Sequence, residues 1–202
     1  MKKILLFILV LTISEFSLAQ DSADTLKPWT IGAVFSLNIS QAAFHNWTSG
    51  GENSVAGNFL FAGIANLKKD KIFWNNYLLT GIGFARLKGE TSKTNDNIEI
   101  NSLYGRNAFA KNWYYSVIMN YKSQFANGFV DSNRDSAVIS AFMAPGYLNI
   151  GLGLNYNLND VFILNISPLD AKMIFVLNQQ LANHGDYGVD AAVFDNQGNM
   201  IT

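Results

Sequence analysis

The residues with chemical potential in this chain are few and scattered. Asn46-Trp47-Thr48-Ser49-Gly50-Gly51-Glu52-Asn53 combines a glycine pair, which permits positive φ and a tightly shaped loop, with an indole able to stack on a ligand. Asn46, Trp47, Gly50, Gly51 and Asn53 are therefore the candidate external binding loop, and the plainer reading is a structured turn anchored by Trp47. Asp131-Ser132-Asn133-Arg134-Asp135 has the D-x-N-x-D start of a calcium loop. The pattern then fails, because Ser136 stands where glycine is required and Phe142 where the bidentate glutamate belongs. A rim hydrolase would need a histidine beside a nucleophile or a carboxylate, and only His45 and His184 are available. His184-Gly185-Asp186 could form such a pair, but spacing alone does not bring the two histidines together. No enzyme, cofactor or metal is expected from these signals.

Composition narrows the classes further. Apolar residues make up 49% of the 202-residue chain and charged residues 14%, against about a quarter in an ordinary globular protein. That balance excludes intrinsic disorder. A formal charge of -1 argues against a nucleic-acid partner. With no cysteine there is no disulfide framework, thiolate metal site or thiol nucleophile.

Met1-Lys2-Lys3, an apolar run over residues 4–13, and small residues at Ser17 and Ala19 read as a signal peptide with cleavage after Ala19. Ten apolar residues span about 15 Å as a helix, half of a roughly 30 Å hydrocarbon layer. Residues 20–28 then form a short periplasmic lead-in.

From Trp29 the hydropathy period is two, the signature of strands with one apolar face. Seven such runs are predicted, over 29–40, 54–67, 72–87, 98–109, 113–125, 148–158 and 161–167, the last stopped by Pro168. The fourth alternates poorly around Leu103. Each run approaches or exceeds the 9–11 residues that carry a tilted strand across a bilayer, apart from the last. Short turns at 68–71, 110–112 and 159–160 alternate with long polar connections at 42–53, 88–97 and 127–145. Trp29, Trp74, Trp113, Tyr115 and Phe162 fall near the short-turn ends, where membrane-interface aromatics form a girdle. The opposite face carries Asn58, Asn75, Asn120, Lys122, Gln124, Asn149, Asn155 and Asn157, a polar lumen that is either self-satisfied or open to small polar solutes.

The predicted fold is all-β: an antiparallel up-and-down transmembrane β-barrel over 29–202 in the outer membrane of a Gram-negative bacterium. Its partners are outer-membrane lipid and the assembly machinery, with any external ligand unspecified. Seven strands do not close a single-chain bacterial barrel, so the expectation is that C-terminal strands are missing and the chain is truncated. A rival eighth strand over 187–194 alternates poorly.

Asn38-x-Ser40-Gln41 followed by Asn46-Trp47-x-x-Gly50-Gly51-x-Asn53-Ser54 resembles a family of Gram-negative outer-membrane proteins whose domain has no assigned function. Ile98-Glu99-Ile100-Asn101-Ser102-x-Tyr104-Gly105, Trp113-Tyr114-Tyr115-Ser116, Gln124-Phe125-Ala126 and Ser167-Pro168-Leu169 with Lys172 extend the likeness across about residues 29–195. The resemblance implies a β-barrel and supplies no activity.

Overall fold

Period-two alternation does build strands, and they are long. The computed structural model describes residues 28–45, 51–130, 137–159, 161–195, 197, 200 and 201. In chain order the strands are β1 (Trp29–Ala42), β2 (Ser54–Lys69), β3 (Ile72–Leu87), β4 (Glu90–Asn107), β5 (Trp113–Ser123), β6 (Gly128–Phe129), β7 (Val138–Ser140), β8 (Gly146–Leu158) and β9 (Phe162–Phe175). One six-residue helix, α1 (Gln179–His184), follows. The seven long strands form one antiparallel meander in the order β1-β2-β3-β4-β5-β8-β9, and β6-β7 make a separate small hairpin. β1 and β9 do not pair with each other, so the sheet is open at two edges. No described helix is long and apolar enough to cross a membrane.

Three connections differ from the sequence expectation. Residues 88–97 are not a loop. Lys88 and Gly89 form a two-residue turn with φ of 53° and 89°, the positive pair that a tight hairpin prefers, and β4 begins at Glu90. The polar residues after the turn are strand residues, so the strict alternation of short and long connections fails here. Pro168 does not stop the seventh long strand either. β9 is an edge strand and its register slips opposite Leu152 and Leu154, so a residue without an N–H fits there and the strand continues to Phe175. Over 187–194 there is no eighth strand. Tyr187 lies in a 3-10 turn with φ of 62°, and Phe194 makes only an isolated bridge to Met200.

Register sorts every side chain of the sheet onto one of two faces. One carries Ile31, Phe35, Phe59, Leu78, Val117 and Leu152, and the other Asn58, Asn95, Asn101, Asn120, Ser116 and Asn155. Burial then runs opposite to that of a protein folded in water. Ile31 is 77% exposed and Phe35 71%, whereas Ser116 is 5% exposed and Asn155 1%. The polar face is the crowded one. Above Gly83, Asn95 of β4 donates to Asn58 of β2, and above Gly105 the Phe73 ring of β3 meets Tyr114 of β5 at 4.9 Å between centroids. Strands two apart touch over a glycine only where the sheet curls toward that face.

The sole cluster of buried apolar side chains among the described residues lies off the sheet. Ala141, Ala144 and Leu181 pack together with Val176 and Tyr187 against them. Asn178 caps α1 by accepting from the Leu181 N–H, and Gly185 ends it with φ of 74°.

Candidate functional site

Two surfaces and one loop gather the residues with functional potential. On the apolar face, the aromatic side chains at the short-turn end fall into two groups. Trp29 and Trp74 are 5.9 Å apart between ring centroids. Phe109, Trp113, Tyr156 and Phe162 follow one another at 6.0, 5.1 and 6.4 Å. Tyr115 lies beside Arg106 in the β4–β5 register and is exposed. Three polar side chains on this face form a closed chain of hydrogen bonds. The Trp74 indole N–H donates to Ser102 Oγ at 2.8 Å, Ser102 donates to Asn76 Oδ1 at 2.8 Å, and Asn76 Nδ2 donates to the Ala65 carbonyl at 2.9 Å. Such closure lets a polar triad sit on an otherwise apolar surface.

The polar face is a connected wall of amides and charges. Asn101 links Asn120 on one side to Glu99 Oε1 at 3.0 Å on the other, and Lys122 reaches Glu99 at 3.5 Å. Asn155 donates to Asn165 Oδ1 at 2.6 Å. Asn149 Oδ1 and Ser167 Oγ are buried with no partner. Of the eight polar residues expected here, Gln124 is elsewhere. It lies beyond β5, donating to the Ala141 and Ala144 carbonyls. Asn95, Asn97, Glu99 and Asn101 also belong to the wall, and the first two were hidden by reading 88–97 as a loop. The alternation in Asn97-Ile98-Glu99-Ile100-Asn101 was the signal that could have found Glu99 and Asn101.

At the long-loop end, Asp96 accepts from the Phe125 and Ala126 backbone N–H groups and from Lys93 at 2.7 Å. Lys93 also donates to the Ala126 carbonyl at 2.9 Å. This knot fixes the connection after β5 to the start of β4 and floors a cavity of about 730 Å3 lined also by Phe84, Phe129 and Ile139. Of the candidate external loop, Asn46, Trp47 and Gly50 lie outside the described residues, as do 131–136 and hence the failed calcium pattern. Asn53 Oδ1 accepts from the Phe44 N–H at 2.7 Å and closes the loop's base. Gly51 has φ of 151° and packs against the Phe44 ring, where an added Cβ would stand 3.0 Å from it. Glu52 pairs with Lys88, and that bond holds the Lys88 ammonium above its ordinary value.

His45 lies between β1 and β2 and His184 ends α1. No group of three or more His, Cys, Asp or Glu able to hold a metal occurs among the described residues.

No curated protein and no solved structure matches the chain. Over residues 39–129, which include β2 to β5 and their polar wall, the chain matches the family model described as protein of unknown function (DUF3078), a family of unknown function as its sequence resemblance implied.

Proposed function

We propose that the chain is an integral outer-membrane β-barrel protein of a Gram-negative bacterium, exported by residues 1–19. It acts as a structural or partner-binding protein through its long-loop end and not as an enzyme. One observation carries the reading: the most buried side chains of the long strands are polar, Ser116 and Asn155, while large apolar side chains from Ile31 on β1 to Leu169 on β9 stand exposed on the opposite face. In water that arrangement leaves large side chains unburied at about 25 cal/mol per Å2. In hydrocarbon it is the stable one, since alternate residues meet lipid and lumen. The aromatic row at the short-turn end supports the same orientation, with the short turns in the periplasm. In lipid both sheet edges must be paired, so the reading requires strands on β1 and β9 in the assembled barrel.

Fractionation tests it. Expressed with its N-terminus intact, the protein should require detergent for release from outer membranes, and recovery as a soluble periplasmic protein overturns the reading. A second reading, a channel for small polar solutes, is favoured by the unpartnered Asn149 Oδ1 and Ser167 Oγ on the polar face. Planar-bilayer recordings separate the two, because discrete open states exclude a filled lumen.

A further inference from the structure

The two ends of the sheet differ in charge. At the short-turn end Lys68, Lys69, Lys71, Arg106 and Lys111 are all exposed, and none is in an ion pair among the described residues. Among the described residues the acid there is Asp70. At the other end Lys88, Lys93 and Lys122 are held by Glu52, Asp96 and Glu99.

Register places part of this charge on the apolar face. Lys69 pairs with Ile72 and Ile72 with Arg106, which puts the three in one row across β2, β3 and β4. The next row inward is Leu67, Trp74 and Tyr104. A groove of about 700 Å3 opens at this edge, lined by Lys69, Asp70, Lys71, Ile72, Tyr104 and Arg106. It therefore has cations at its outer lip, with one carboxylate among them, and aromatic and aliphatic walls toward the sheet's centre.

We infer that this groove is a binding site for the headgroup phosphate of an acidic phospholipid, resting on the membrane reading above. A guanidinium and two ammonium groups suit a phosphodiester, Arg106 by its two-pronged donor geometry and the lysines as mobile point charges. Tyr104 and Trp74 stand one row inward, at the depth where amphipathic rings meet the glycerol region, so the acyl chains run onto the apolar face. A free anion would use the cations and leave that wall empty. The lipid uses both. The site fixes how deep the short-turn end sits and gives the leaflet on that side a preferred annular lipid.

The test is tryptophan quenching by brominated lipids with the whole chain reconstituted in vesicles. Brominated phosphatidylglycerol should quench at lower mole fraction than brominated phosphatidylcholine. That preference should fall about fivefold for each cation removed in Lys69→Gln, Lys71→Gln and Arg106→Gln. Lys69→Arg with Lys71→Arg should keep it. Should the neutralised variants fail to insert, wild type in about 1 M salt, where screening reaches about 3 Å, should lose most of the preference. Equal quenching by the two lipids, or a preference untouched by both the substitutions and salt, overturns the site. Competition by millimolar inorganic phosphate overturns the assignment to lipid. Absence of quenching by either lipid instead defeats the membrane reading itself, so the two failures are distinguishable.

Discussion

The sheet and the segment that follows it solve burial in opposite ways. In the sheet, side chains with little exposure are Ser116 and Asn155, while Phe35 and Leu152 stand open. Around α1, the buried groups are the apolar Ala141, Ala144 and Leu181, while Gln179, Gln180 and His184 are exposed. One chain holds both patterns, so composition is not their cause. On the membrane reading proposed above, the difference is the medium each region is built for. The sheet is organised by cross-strand amides and by glycines over which side chains of strands two apart meet on its polar face. The α1 region is organised by ordinary exclusion of water from apolar groups.

Backbone crowding gives the largest expected effect, because it separates the two faces within one sheet. A Cβ at Gly153 would lie 1.9 Å from the Ile166 carbonyl oxygen at the β8–β9 irregularity, whereas a Cβ at Gly57 on the apolar face meets nothing within 4 Å. Gly153→Val should cost at or above the roughly 1–3 kcal/mol of an overpacked core. Gly57→Ala should change stability by less than about 0.5 kcal/mol. Urea unfolding from detergent micelles measures both, and equal effects would dissolve the distinction between the faces. Next comes Leu152→Arg, at mid-height on the apolar face. In a bilayer a charge there should cost about 2–4 kcal/mol, while at an exposed site in water it should cost almost nothing. Comparing vesicle-folded with detergent-free protein tells whether lipid is the medium.

The outward residues of β1, β5 and β8 were legible because period-two alternation in those strands is unbroken. Trp113, Tyr115, Val117 and Met119 fall on one face as read. β4 was half legible. Its first eight residues are polar on both sides, and only the turn geometry of Lys88-Gly89 reveals a hairpin rather than a loop. Pro168 misled because an irregularity on an edge strand leaves no trace in a single sequence. The aromatic row was legible from spacing, but its pairing was not, since Trp29 meets Trp74 across β2 through register. The cationic groove was invisible for the same reason: Lys69 and Arg106 are neighbours only once β2, β3 and β4 are aligned.

The α1 region should respond on its own. Leu181→Ala removes the largest side chain of its cluster and should loosen residues 176–188 by about 2 kcal/mol, the low end for a buried leucine because the cluster is small. Hydrogen exchange should show lost protection there and unchanged protection in β2 to β5. If the sheet loosens equally, the two regions are one cooperative unit and the contrast between them is only pictorial.

The smallest effect is a pH dependence confined to the same region. The Tyr187 hydroxyl donates to the Ile139 carbonyl, joining the turn after α1 to β7. Burial, and then the charges of Tyr147 and Asp186, push its phenol above the ordinary value near 10. The docked state thus holds the phenol proton more tightly than the undocked chain. This stabilising contribution is fully present below pH of about 10 and is lost as pH rises through the raised value. Alkaline titration should therefore free residues 176–188 to protease before the sheet changes. Tyr187→Phe loses the donor, so its docking should be slightly weaker at neutral pH, but it cannot ionise and should lack the alkaline step. An identical step in wild type and Tyr187→Phe would assign the transition to the lysines, and with them to the Lys88–Glu52 and Lys93–Asp96 pairs at the same end of the sheet.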